Sequence, residues 1–282
     1  MFKKIGDIAF IDDLTKLATR ARLEEKINNH IQTGGSGTLA LFDIDFFHTY
    51  TESLGYEFGN HILKKFAEVL DKESQSKGIC ARLHSDVFAV YFTENDYELI
   101  LRLRKKLQEP IFVFDEAITL GVCLGTAVSS PSVNAEVLFR QAEIALKSAK
   151  DNRRGSSVQF EDKLETAIQY RRSILHDLHQ ALENNELRLV YQPKIDMLSN
   201  EVIGFEALMR WHNEARGNVS PFEFIPIAES SGLINKFGQW ALEQACNQVK
   251  DWQSIKPNIT IAVNVSAHQL RGTNFPDTVS SI

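Results

Sequence analysis

The chain has 282 residues, 43% hydrophobic and 24% charged, which is ordinary globular composition and enough length for two domains. Its net charge of −6 and pI near 5.8 exclude a general surface for tracking nucleic acid. No apolar run is long enough to cross a bilayer. Cys80, Cys123 and Cys246 are widely spaced and lack CxxC spacing, which argues against a disulfide framework or zinc knuckle and suits a reducing cytoplasm. The N-terminal MFKKIGDIAFIDD turns acidic too soon to read as a signal peptide.

Leu17, Leu23, Ile27 and Ile31 recur at helical spacing and predict a helix over 16–32, with Asp13 or Thr15 as N-cap. The run Gly34-Gly35-Ser36-Gly37 ends it and releases a strand over 38–44. A helix is expected near 58–72, then two strands over 79–83 and 87–92 joined by a tight turn at His84-Ser85-Asp86. A helix near 95–108, a strand near 117–127, a helix near 135–150 and a short strand at 158–160 follow. This order of helices and strands, with one central hairpin, predicts a ferredoxin-like α+β sheet for a first domain over 1–160.

The polar stretch 151–157 closes that unit, and a second domain is expected over 161–282. It opens with a connecting helix over 162–185, whose Leu164, Ile168, Leu175, Leu178 and Leu182 share one face. Strands near 187–195 and 201–209, a helix from Pro221, a helix over 234–253 and a strand over 259–265 come next. That rhythm is the start of an α/β barrel or an open parallel sheet; a TIM-like barrel takes about 250 residues, so roughly half of one is expected here. Such a half barrel would present an unpaired strand edge, open to dimerisation.

Asp43 and Asp45 lie two apart at a strand end, so their carboxylates share a face where a magnesium ion would offset their repulsion. Asp12-Asp13-Leu14-Thr15 with Leu17 and Arg20, Phe42-Asp43-Ile44-Asp45-Phe46-Phe47 with Gly55 and Gly59, Arg82 to Phe88, and Ala142 to Leu146 with Ala149, Lys150, Arg154 and Gly155 together resemble GGDEF diguanylate cyclase domains. The resemblance implies a nucleotide-cyclase palm, and it also marks where this chain departs from one. His84 and Ser85 stand where the family has two glycines that let the backbone approach a triphosphate, and Val87 replaces the signature glutamate. Thr51 and Asn60 stand at the guanine-reading positions, and Asn60 cannot accept two guanine N–H bonds as a carboxylate does. Gln75 and Gly78 stand where the family's inhibitory product site has arginine and aspartate. Asp43 and Asp86 remain as metal-ligating candidates, so the resemblance implies residual GTP binding at most and no cyclase activity. His84 by itself reads as a tolerated turn residue.

Tyr191-Gln192-Pro193-Lys194, Gly204 to Trp211 with Glu206-Ala207-Leu208, Pro221 to Glu229 with Gly232-Leu233-Ile234, and Asn264-Val265-Ser266 resemble EAL-type cyclic di-GMP phosphodiesterases in order and spacing. The resemblance implies that Glu206 and Asn264 are catalytic and ligate Mg or Mn. It also implies that Gln192, Leu208 and Arg210 meet the substrate. Phosphodiester cleavage requires an activated water and neutralised phosphate charge, which oxygen-ligated divalent cations provide. Glu223 and Glu229 read as structural or solvated, and Trp240 and Trp252 as packing a helix onto the sheet. The expectation is a cyclic di-GMP phosphodiesterase parent with an inactive GGDEF domain, this stretch being inactive alone because later carboxylates and a lysine are lacking. The alternative is a non-catalytic cyclic di-GMP receptor acting through a protein partner. A nucleic-acid platform is disfavoured, because paired strand aromatics and a basic face are missing.

Overall fold

The computed structural model describes residues 10–74, 77–130, 132–152, 154–271 and 275–282. Gln75 and the first nine residues of the N-terminal stretch lie outside them. The chain divides into two compact units, 1–165 and 166–282. Among the described residues, no helix is long and apolar enough to cross a membrane.

The first unit is a six-stranded sheet, taken in chain order as β1 (Ala18–Thr19), β2 (Thr38–Ile44), β3 (Gly78–His84), β4 (Val87–Phe92), β7 (Val122–Val128) and β8 (Ser157–Gln159). Two further strands, β5 (Ile111–Val113) and β6 (Glu116–Ile118), form a separate hairpin. The spatial order β1-β3-β4-β2-β7-β8 contains the antiparallel ferredoxin-like core, with β1 and β8 added in parallel at the two edges. Its helices are α1 (Arg20–Gln32), α2 (Phe47–Leu54), α3 (Tyr56–Ser74), α4 (Tyr97–Leu107) and α5 (Ala135–Asn152). All seven residues of β2 are buried, as a central strand covered on both faces must be. Ala40, Phe42 and Ile44 enter the cluster with α3 and α4, while Leu39 and Leu41 enter the cluster with α1 and α5.

Four local expectations need correction. The first helix starts at Arg20, not near 16: Asp12 instead accepts the Thr15 amide in a turn at 2.8 Å, and Ala18–Thr19 pair with β3. The segment 47–54, between the expected strand and helix, is itself a helix, α2, and Gly55 (φ 88°) separates it from α3. The strand expected over 117–127 is two strands, β6 and β7, interrupted at 119–121. The connecting helix stops at Leu178 rather than 185, giving α6 (Asp162–Leu178), because turns through Asn185 (φ 55°) follow it.

The second unit is built on β10 (Val202–Asn213). It pairs antiparallel with β9 (Leu187–Ile195) along most of its length and with β11 (Gly217–Val219) at its end. It pairs parallel with β12 (Thr260–Val263). The sheet is therefore mixed, not all-parallel. Between β11 and β12 run α7 (Pro221–Ser231) and α8 (Leu233–Gln253); α9 (Ala267–Leu270) and α10 (Phe275–Ser280) follow. Ala207 and Trp211 of β10 point into a core with Phe224, Ile227 and Phe237. The Trp211 indole donates to Glu186 at 2.8 Å, which satisfies its N–H group at the core edge. Trp252 lies 4.5 Å from the Phe205 ring and 4.9 Å from Tyr191, and Trp240 packs at the core's edge, so both tryptophans seat α8 on the sheet.

Candidate functional site

Strand parity decides what β10 offers to solvent. Because Ala207, Met209 and Trp211 face the helices, Glu206, Leu208 and Arg210 must share the opposite face. Register sets their neighbours: Glu206 lies between Gln192 of β9 and Ala262 of β12. Asn264 follows two residues after Ala262, on the same face and one residue beyond β12. There its amide nitrogen donates to a Glu206 carboxylate oxygen at 2.7 Å. The five residues expected at this site therefore fall on one face of three adjacent strands.

Glu206 sits in the middle of β10, because β10 continues past β12 to pair with β11. The Arg210 guanidinium donates to the Met209 carbonyl at 2.8 Å, and Glu206 takes Asn264 as its partner.

The loop that carries Asn264 is fixed from behind. Ser266 donates its hydroxyl to Glu229 of α7 at 2.5 Å, caps α9, and exchanges capping-box hydrogen bonds with Gln269. Gln269 is only 5% exposed, and its amide fills the space beside Gly238, where a Cβ would lie 2.0 Å from it. Glu229 therefore has a structural task, and Ser266, Gln269 and Gly238 join it; the Asn264-Val265-Ser266 string carried a signal for Ser266, but no local signal tied Gln269 to α7. A cavity of about 250 Å³ adjoins this loop, lined by Ala207, Leu208, Arg210, Glu229, Asn264 and Gln269 among others.

Glu206 and the free carbonyl of Asn264 are hard oxygen donors suited to Mg or Mn, so their chemistry fits a divalent cation. They are two side-chain donors, and the described residues contain no group of three or more His, Cys, Asp or Glu placed to hold a metal. An ion held here would polarise a phosphate and acidify a bound water.

In the first unit, Asp43 and Asp45 are buried, 3% and 5% exposed, and share the face toward α5. The Lys150 ammonium of α5 is paired with Asp43. Burial pushes the Asp43 carboxyl above its ordinary range, Lys150 opposes this, and Asp86 and Asp45 add to the rise. Asp45 accepts from the Cys123 thiol at 3.1 Å and from Arg154 at 3.4 Å, and the Arg154 guanidinium stacks 5.0 Å from the Phe46 ring. The two carboxylates thus have cationic side chains as partners.

His84 and Ser85 are exposed at the β3–β4 turn, where Ser85 takes a left-handed φ of 42°. Arg82 clamps this turn by donating to the Ser85 carbonyl at 2.7 and 3.0 Å and to Asp12 at 3.2 Å. Burial raises the Asp12 carboxyl, but Thr15 and Arg82 outweigh it and hold the group below its ordinary value. Val87 is 7% exposed and belongs to the hydrophobic cluster with Ala81 and Leu23. Thr51 donates to the His48 carbonyl within its own helix at 2.8 Å, and Asn60 is exposed. Gly78 opens β3, where it pairs with Phe92 of β4.

The GGDEF diguanylate cyclase family model matches residues 9–156, and the EAL family model matches residues 175–282. A signalling protein of Caulobacter vibrioides is 33% identical over 99% of this chain and 36% of its own length. The bifunctional diguanylate cyclase/cyclic di-GMP phosphodiesterase MucR of Pseudomonas aeruginosa is 30% identical over 98% of this chain and 42% of its own. The chain thus spans well under half the length of these curated relatives. A diguanylate cyclase/phosphodiesterase structure from Caldicellulosiruptor saccharolyticus superposes with a TM-score of 0.52 at 19% identity, covering 55% of this chain and 96% of that one, and so matches in fold. The chain belongs to the GGDEF family and carries a GGDEF domain followed by EAL-domain sequence.

Proposed function

We propose that the protein acts in cyclic di-GMP signalling as a metal-dependent cyclic di-GMP phosphodiesterase whose GGDEF domain, residues 1–160, no longer makes the dinucleotide. The observation that carries the reading is the Asn264–Glu206 contact at 2.7 Å on the face that also holds Gln192, Leu208 and Arg210. Glu206 and Asn264 hold Mg or Mn, Arg210 meets a phosphate, and Gln192 and Leu208 contact the nucleotide. The crossover from β10 through α7 and α8 to the parallel β12 supports residues 161–282 as part of a TIM-like barrel.

Loss of cyclase activity is supported by three positions. Val87 is packed in the core where a metal-facing acid would be needed. Thr51 spends its hydroxyl on its own helix, and Asn60 lacks a carboxylate. Any GTP held there is held without turnover. A cytoplasmic setting belongs to the same reading, supported by the three free cysteines.

The test is incubation of the full-length natural protein with cyclic di-GMP and Mg or Mn, and separately with GTP. Linear dinucleotide from the first and no cyclic product from the second is the expected pair of results; no linear product with either metal refutes the enzymatic reading. A second reading, a non-catalytic cyclic di-GMP receptor, is favoured by the two-donor metal set among the described residues. Calorimetric binding without turnover selects it.

A further inference from the structure

On the face that carries Glu206, register places Arg188 of β9 directly opposite Arg210 of β10. Directly opposed like charges destabilise an antiparallel pair, since their Cβ atoms lie only about 5 Å apart. Neither guanidinium has a carboxylate partner among the described residues; Arg210 spends one N–H on the Met209 carbonyl. Both line a groove of about 370 Å³ together with Val190, Trp211, Asn218, Val219, Ser220 and Pro221. A pair of arginines held together with no acid to offset them is stable when an anion fills the space between them, and two planar guanidinium forks suit phosphate oxygens.

We infer that Arg188 and Arg210 form an anion subsite that takes a second phosphate of the substrate, the one not cleaved. The inference deepens the phosphodiesterase reading and rests on it for the identity of the ligand. Position supports the assignment. Asn264 is level with Leu208, so the arginine pair stands one side-chain repeat further along the strands, about 7 Å beyond. A cyclic dinucleotide carries two phosphodiesters on one ring. With one beside Glu206 and Asn264, the other needs a cationic partner displaced toward the rim. The subsite thus selects dinucleotides over ligands with a single phosphate.

The test compares wild type with Arg188→Gln and Arg188→Lys in metal-free, low-salt buffer. Arg188 is an exposed strand residue, so the variants retain the fold, and removing the charge should leave Arg188→Gln at least as thermostable as wild type. Pyrophosphate should raise the melting temperature of wild type and not of Arg188→Gln, with Arg188→Lys between them. Cyclic di-GMP, titrated in EDTA so that no turnover occurs, should bind Arg188→Gln about tenfold more weakly, the lower end of the effect of losing one charge-assisted hydrogen bond. Equal pyrophosphate shifts in wild type and Arg188→Gln, or none in wild type, overturn the subsite. A pyrophosphate shift that depends on Arg188 without cyclic di-GMP binding by wild type upholds the subsite and overturns the ligand instead.

Discussion

Replacing Lys150 by methionine removes the cation facing Asp43, a carboxylate only 3% exposed that already feels Asp45 and Asp86. At an effective dielectric near 20, a unit charge pair in contact is worth about 4 kcal/mol, and screening at the 30% exposed Lys150 side chain reduces it. Asp43 can also escape by taking up a proton. A net loss of about 2 kcal/mol at pH 7 is therefore expected. The pH dependence fixes the cause. A carboxyl whose folded pKa is raised contributes stability that is full below its unfolded value and lost as pH rises through the folded one. Removing Lys150 raises Asp43 further, so the deficit of Lys150→Met relative to wild type should shrink between pH 7 and pH 5. Urea unfolding resolves this, because all three tryptophans, 211, 240 and 252, lie in the second unit. Indole fluorescence thus follows that unit alone, and circular dichroism reports both. A deficit equal at both pH values, or one that Asp43→Asn fails to relieve in the Lys150→Met background, refutes the reasoning.

Other substitutions test the second unit and the thiols. Glu229→Ala frees the Ser266 hydroxyl and loosens the loop carrying Asn264, so manganese affinity measured by calorimetry should fall roughly tenfold while the melting temperature changes little, as for other residues that hold a ligand in place. Phe224→Ala deletes a fully buried ring 5.7 Å from Trp211 and should cost about 3–5 kcal/mol, read from the shifted fluorescence transition in urea. Burial pushes the Cys80 thiol up to about 12 and also raises Cys123, whereas Cys246 is exposed. Iodoacetamide at pH 8 should therefore label Cys246 in the native protein and the other two only after unfolding, as counted by mass spectrometry.

The alternation of apolar and polar residues made the strands legible, and the turn residues at 84–86 located the hairpin. What sequence left open was set by pairing. Ala18–Thr19 look like the start of the first helix because Leu17 fits its period, yet they gain more by hydrogen bonding to Ala81 and Arg82 at the sheet edge. Glu206, Leu208 and Arg210 were legible from motif spacing; that Gln192 faces Glu206 follows from the β9–β10 register, which no local pattern prints. Arg188 carries no signal in the sequence, because an arginine on a strand is ordinary. It becomes informative only when register sets a second arginine opposite it. The reach of Glu229 to Ser266 spans 37 residues with α8 and β12 between them, so it too needed the fold.

The same alternation binds stability to chemistry in the second unit. Ala207, Met209 and Trp211 of β10 face the core, with Trp211 only 1% exposed, and Glu206, Leu208 and Arg210 between them build the candidate site. A one-residue slip of β10 would bury Glu206 and Arg210 against Phe224 and turn Trp211 to water. The cost of burying two unpaired charges exceeds anything the site could return, so the hydrophobic face enforces the register on which the polar face depends. The bulge between Val202 and Gly204 is where that register is set. A Cβ at Gly204 would lie 2.5 Å from the Thr260 hydroxyl and 2.9 Å from its carbonyl oxygen, so glycine there lets β12 approach β10 closely. That close approach brings Asn264 within hydrogen-bonding reach of Glu206. The geometry of the candidate site thus rests on a glycine at the other end of the β10–β12 ladder, where no substrate atom need ever come.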